Sequence, residues 1–425
     1  MVIDKDFIIT SPVKISGEVV VNANIVVKET GSLHIENATL YFNDDCGIVA
    51  EGLVNASNST FDAKSLTWKK ITFKQKSASL SFMKNCVILN GAGIDIEVST
   101  SDITIDNCTF VNCTKEWGGA ISSSGESILI KNCKIHDCHA IQTGGAVYML
   151  DGTRIENSII KNCKARQGAG IQMDLRDNYQ YLPMAHNCII ENCESINNGG
   201  AINISKNGEV NACEINNCKA KKGGGISIDN SGEIKFCKIN NSIAEWAGGG
   251  IYCAVISHDK FFIKDSVIYG CTANNEGGGI AINSSGKIFF SGVEIINCNA
   301  DYGGGMMIGC NTDVQSLGTT QIKHCKSRNR GCSNAVIFKP SDGYSKLNNC
   351  LFIDCIDNND EFLLNLNHEG YYGFAEINNC KAYNYMPNGD IKKYDIKIAS
   401  RNASHFYINE QRLKDRIDNF VVVKR

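Results

Sequence analysis

Three stretches of the chain hold side chains that could grip or cut a sugar polymer: DLRDNYQYLPMAH at 174–186, AVISHDKFF at 254–262 and CNTDVQSLGTT at 310–320. The first carries Asp174, Arg176, Asp177, Tyr179 and Tyr181, the second His258, Asp259 and Lys260, and the third Asp313. Two carboxylates about 5–9.5 Å apart hydrolyse a glycosidic bond. A Lys, Arg or His base beside a neutralised acid group cleaves by elimination instead. A second set repeats at one position of three successive repeats: Glu245-Trp246, Asn274-Asn275 and Asp301-Tyr302. Acidic, amide and aromatic groups spaced about 5 Å apart suit a sugar chain, whose rings stack on aromatics and whose hydroxyls are taken by carboxylates. Loops and corners are rich in such residues anyway, so plain solvated surface is the competing reading, and no catalytic set is fixed by sequence.

Known chemical signatures are scarce. HExxH, P-loop and GxSxG patterns are absent, and no cofactor is expected. His136-Asp137-Cys138-His139 has metal-ligand types, but its histidines read as solvated turn residues and no metal is expected. The sequons at Asn55-Ala56-Ser57 and Asn283-Ser284-Ser285 follow from Asn and Ser richness.

The elements that would position these groups repeat. Gly-Gly or Gly-Ala-Gly begins at 91, 118, 144, 168, 199, 223, 248, 277 and 303, at intervals of 24 to 31 residues. Such a period signals a solenoid. Behind the glycines come alternating runs such as Ala201-Ile202-Asn203-Ile204 and Gly225-Ile226-Ser227-Ile228, each an inward strand face of period two. Their outward partners, Ser122, Tyr148, Gln172, Asn203, Ser227, Tyr252, Ala281 and Met307, form a column expected to be ordinary sheet surface. Forty glycines against four prolines suit many corners and unbroken ladders. The expectation is an all-β, right-handed parallel β-helix of about 12–15 coils, its hand set by the preference of parallel crossovers.

Cysteines fall in two columns, one with Cys108, Cys133, Cys188, Cys213 and Cys237, the other with Cys113, Cys138, Cys163, Cys193, Cys218, Cys271 and Cys298. Ser158, Ser242 and Ser266 fill gaps, which argues for small buried residues. Reduced packing thiols are expected. Rung-to-rung disulfides are the rival, since bridging needs Cβ atoms about 3.5–4.5 Å apart, and zinc fits the endless C-x4-C spacing least. The Asn that precedes many of these positions (Asn107, Asn112, Asn132, Asn162, Asn187, Asn192, Asn217 and Asn241) suits a bend, its amide bonding backbone or the Asn of the neighbouring coil.

Residues 81–385 hold the regular repeats, with 1–80 read as an N-terminal cap and irregular first coils, and 386–425 as a C-terminal cap in which NEQRLKDRIDNF is expected to be a short helix. Charge is balanced, 42 basic against 45 acidic residues, so no nucleic-acid partner is expected. No apolar run reaches the about 18 residues of a membrane helix. The start lacks a basic segment followed by an apolar one. The many thiols fit a cytoplasmic site as written, or the cell surface or secretion if a leader has been trimmed.

Gly118-Gly119-Ala120-Ile121, Gly144-Gly145-Ala146-Val147 and Gly199-Gly200-Ala201-Ile202 resemble the GGA[ILV] repeats of polymorphic outer-membrane proteins and related adhesins, over roughly residues 82–308. That family's companion Phe-x-x-Asn is altered here, with Cys at the Asn place in Phe110-Val111-Asn112-Cys113 and Phe352-Ile353-Asp354-Cys355. The resemblance implies a β-helix and an adhesin-like binder of polysaccharide or protein. Asn311-Thr312-Asp313 matches one short polygalacturonase motif, but that family's Asp-Asp, Gly-His-Gly and Arg-Ile-Lys partners are missing. The site residues this reading favours are Glu245, Trp246, Asp301, Tyr302, Asp174, Arg176, Tyr181 and His258. A lyase or glycoside hydrolase with its site in the insertions, or an intracellular scaffold, are the alternatives.

Overall fold

In the computed structural model, residues 1–97, 100–177, 179–254, 260–309, 312–328, 335–338 and 344–355 are described, and beyond them the segments 364–365, 374–385, 391–394, 396–400, 406–408, 411–412, 416–417 and 420–424. The chain divides into two units, Met1–Ile196 with Ala201–Glu209, and Asn197–Gly200 with Val210–Arg425.

In the first unit one coil shows how sequence becomes structure. Leu129–Lys131 and Lys134–His136 lie in a first sheet, His139–Thr143 in a third and Val147–Leu150 in a second. Every strand of this coil pairs in parallel with its equivalent in the next, in register in the first two sheets, as Ile130 with Ile155 and Ile135 with Ile160, and with a register shift in the third. Identical side chains therefore stack, and Ile105, Ile130 and Ile155 form one buried row. Residues 1–80 coil in the same manner: Phe7–Ile9, Ile25–Val27, Ile48–Ala50 and Ile71–Phe73 are successive rungs of the second sheet. The second unit repeats the pattern, with Gly232–Lys235, Lys238–Asn240, Ile243–Ala247 and Ile251–Cys253 forming one coil. Each unit is thus a parallel β-helix.

Two devices turn the corners. The Asn before a cysteine adopts a left-handed conformation, as at Asn107, Asn132 and Asn162 (φ 52°, 55° and 55°), which Asn tolerates better than most residues. Its amide donates to its counterpart one coil back: Asn107 Nδ2 to Asn85 Oδ1 at 2.8 Å, and Asn112 Nδ2 to Asn90 Oδ1 at 2.8 Å. The Gly-Gly corner is set by space. Gly144 has φ 69°, and a Cβ on Gly145 would lie 2.2 Å from the carbonyl oxygen of Ala169 in the next coil.

The thiols lie inside. All 19 cysteines among the described residues are buried and free of disulfides. Each ladder S–H reaches the carbonyl two residues back, as Cys108 Sγ to Asp106 O at 3.4 Å, and several also reach one in the preceding coil, as Cys108 Sγ to Met83 O at 3.5 Å. Serine substitutes with the same geometry: Ser158 Oγ donates to Glu156 O at 2.8 Å while accepting from Cys133 N at 3.0 Å. Burial raises the thiol pKa of Cys133 to about 12, and those of Cys253, Cys325 and Cys355 are likewise raised.

Two expectations are corrected. The outward column of the second sheet is not open surface from Gln172 onward. Gln172 and Asn203 in the first unit are buried, as are Ser227, Tyr252, Ala281 and Met307 in the second. In-register stacking hides small side chains between their neighbours, and Tyr252, Ala281 and Met307 pack with Ala247, Ile337, Ala254 and Tyr302. The helix expected within 409–420 is replaced, among the described residues, by the strands Gln411–Arg412 and Arg416–Ile417. Arg416–Ile417 pairs antiparallel with Phe420–Lys424, which continues the second sheet beside Ile396–Ser400, so sheet pairing overrides local helix preference.

Candidate functional site

The outward face of the second sheet in the first unit is a single aligned column: Ile8, Val26, Val49, Thr72, Asp95, Ser122, Tyr148, Gln172 and Asn203. Adjacent rungs stand about 4.8 Å apart. Over Val26, Val49 and Thr72 lies a cavity of about 290 Å³, flanked by Lys69 and Lys70 before the strand Ile71–Phe73 and by Lys74 after it, with Asp6 and Glu97 also at its wall.

Asp95 continues this floor and carries two cations. Lys70 Nζ bonds one carboxylate oxygen; Lys115 Nζ bonds the other at 2.6 Å and Ile94 O at 2.6 Å. Lys115 is in register with the buried Ala140, so it enters from the third sheet at a position where the next coil carries a methyl group. Burial opposes ionisation of Asp95, but Lys115 and Lys70 outweigh it and hold the carboxyl below its usual range. Burial also draws Lys115 below the usual lysine range, against the pull of Asp95.

The other end of the column is framed by the first insertion. After Ile171–Asp174 the chain turns back so that Arg176 is held by Asp151, whose side chain is 0 % exposed: the backbone N–H of Arg176 donates to Oδ1 at 3.0 Å and its guanidinium to Oδ2. The ring of Tyr179 stacks on that guanidinium at 4.8 Å, and its hydroxyl donates to Glu126. Asp177 pairs with Lys206 at 2.8 Å. Burial raises the carboxyl of Asp174 above its usual range, and burial together with Asp174 and Asp151 lifts Tyr148 to about 12. Gln172, Asn203 and Ser205 close the column through Gln172 Nε2 to Ser205 Oγ (2.7 Å) and Asn203 Nδ2 to Gln172 Oε1 (3.1 Å).

The residues singled out in the sequence are distributed as follows. Asp174, Arg176 and Tyr181 share this insertion, with Tyr181 68 % exposed. His258 and Asp259 lie outside the described residues, as does Asn311. Asp313 begins a strand of the first sheet and its Oδ2 accepts from Gln315. In the second unit, Trp246, Asn275 and Tyr302 stack through backbone bonds, Asn275 N to Trp246 O (3.0 Å) and Tyr302 N to Asn275 O (2.8 Å). Trp246 is 50 % exposed, whereas Tyr302 leans on the Ala281–Met307 cluster. Glu245 pairs with Lys219 at 3.2 Å, and Asp301 with Arg328 at 2.8 Å. Arg328 also donates to Ala273 O and Asn274 O, tying this corner down.

Asp95, Lys115 and Asp151 were not singled out by sequence. Asp95 carries a usable signal, an outward acid inside the apolar alternation Ile94-Asp95-Ile96. Lys115 and Asp151 carry none, since each is defined by a partner at least 20 residues away.

Fold and register together define a parallel β-helix with one aligned outward column and a cavity over the rungs of Val26, Val49 and Thr72. A family model described as right handed beta helix region matches residues 13–127 and 112–239, over half of the chain, and the chain belongs to that family. No curated protein and no solved structure matches it.

Proposed function

We propose that the chain is a non-catalytic, adhesin-like β-helix that holds an extended polysaccharide along the second sheet of its first unit. The observation that carries this reading is the aligned column from Val26 to Tyr148 with a ligand-sized cavity over one end. A column with one rung about every 4.8 Å offers a linear polymer the same kind of contact at each step. Tyr148 supplies a ring for sugar stacking and Tyr181 a second at the rim. The acids and bases around them are largely engaged with each other, Asp151 with Arg176 and Asp177 with Lys206, which suits a rigid binding wall. The exposed Trp246 of the second unit is the other place where a sugar can stack.

Asp174 favours a second reading, a lyase or glycoside hydrolase. A half-buried carboxyl with a raised pKa beside a tyrosine suits proton transfer. Affinity electrophoresis in a panel of polysaccharides separates the cases. Retardation lost in Tyr148→Ala but kept in Trp246→Ala, with no new chain ends, supports the groove binder. Loss only in Trp246→Ala moves the site to the corner, and release of unsaturated or reducing ends replaces the binder with the enzyme.

A further inference from the structure

We infer that the second unit carries a sugar-binding subsite of its own, at the first-sheet bend around Phe236, whose ring stacks on a pyranose of an uncharged oligosaccharide. This site is separate from the column of the first unit and does not rest on it.

The repeat breaks at this bend. In the first unit the residue before the cysteine or serine of the first ladder is Asn at 107, 132, 157 and 187, each left-handed with φ of 49° to 55°. The second unit puts Ala212, Phe236, Asp265 and Gly292 there in successive coils. The N–H of Ala212 donates to Lys235 O at 2.9 Å, that of Phe236 to Lys264 O at 3.0 Å and that of Asp265 to Ser291 O at 2.7 Å. Phe236 keeps the left-handed backbone, φ 56°, which Asn tolerates and a bulky residue resists. It also gives up the amide rung. No core is gained in return, because the side chain is 58 % exposed. Strain held at an exposed residue of a regular array points to a functional site.

The surroundings of the ring suit a sugar. Lys235 and Lys264, each one residue before the bend, are drawn to Glu233 at 3.6 and 2.6 Å, and Lys264 also lies over the ring of Phe262 at 4.9 Å. On the preceding coil Ala212 offers only a methyl group, which leaves room for a flat ligand beside Phe236. One coil on, Asp265 Oδ1 lies where a Cβ on Gly292 would be 2.3 Å away, and glycine has no amide to give it. Lys238 opens the strand beyond the bend and is exposed. Neither the carboxylate of Asp265 nor the ammonium of Lys238 has a hydrogen-bond or ion-pair partner among the described residues. Tyr269, 43 % exposed in the coil of Asp265, adds a second ring. Phe236 thus meets the apolar face of a pyranose, and a free acceptor and a free donor meet its hydroxyls. The acid and the base cancel, so the site asks for no charge on the ligand. A protein partner would instead seek a contiguous apolar patch, and here the ring stands among charged residues.

The full chain is titrated calorimetrically with cello-, manno- and galacto-oligosaccharides, and with single-stranded DNA as another ligand that stacks on rings. Phe236→Asn restores the residue that the first unit uses at this bend. It is expected to weaken sugar binding about tenfold, the worth of one stacked ring, with a melting temperature at or above that of the parent. Tyr148→Ala, confined to the column of the first unit, is expected to keep the binding that depends on Phe236. Unchanged affinity in Phe236→Asn overturns the inference, whether or not Tyr148→Ala weakens binding, and in the latter case leaves the column standing. Binding of none of the sugars overturns both. A lower melting temperature in Phe236→Asn makes the ring a packing residue and overturns the inference. DNA bound as tightly as the sugars, with the same dependence on Phe236, replaces the sugar with a nucleic acid and overturns it too.

Discussion

At the scale of single residues, the chain has already performed one experiment. Serine stands in the cysteine columns at 158, 242 and 266 and is buried there. Cys138→Ser is therefore expected to alter stability by about 1 kcal/mol or less, whereas Cys138→Leu overpacks the ladder and costs about 1–3 kcal/mol; urea midpoints of the two variants check the contrast. Asp95 gives a pH signature. Its folded pKa lies below the unfolded value of about 3.9, so its stabilisation is fully present above that pH and is lost as pH falls through the folded pKa. Asp95→Asn is expected to flatten the acid limb of the stability profile, and equal slopes for variant and parent would refute this. The ladder thiols were legible because they recur every coil. Asp95, Lys115 and Asp151 were not, since a charge cluster is assembled from coils that the sequence does not show to be in contact.

At the scale of the coil, the period and the alternation were enough to place the inward faces, because stacking in register makes every coil solve the same packing problem. What the alternation cannot report is how much of the outward face is covered. Gln172 and Asn203 read as surface, yet the network with Ser205 and the neighbouring rungs close over them. The helix expected within 409–420 failed for a related reason: a strand partner in Phe420–Lys424 outweighs local propensity. Glycine corners separate space from backbone conformation. A Cβ on Gly145 meets backbone oxygens at 2.2 and 2.6 Å, so Gly145→Ala is expected to cost about 3 kcal/mol or more. Gly17 has φ 72° but open space, so Gly17→Ala costs only the left-handed penalty of about 1–2 kcal/mol. Thermal and urea unfolding of the pair measure the difference.

At the scale of the whole molecule, the chemistry of sulfur gives the plainest check. All 21 cysteines of the chain are expected to react in denaturant, and the ladder thiols to stay silent toward an aromatic disulfide reagent in the native protein, because burial keeps the reagent from reaching them. A denatured count near one would mean bridged rungs and would reverse the reading of the core. Because each coil touches chiefly its neighbours, stability in either unit is a sum of nearest-neighbour terms, and damage in one coil is expected to spread little beyond the adjoining rungs.

The asparagine bends have a further consequence for how such a chain can change its length. Lys134 to Ser158 carries the chain from one bend to the equivalent bend one coil on, and Ile135 and Ile160 already share a register. Cutting out those 25 residues joins Cys133 to Ile159 and keeps the rows aligned, whereas removing 24 or 26 from the same point throws the side chains of the strand that follows to the opposite face. Growth and loss by whole turns are thus the neutral edits for this sequence, and single-residue indels inside strands the ruinous ones.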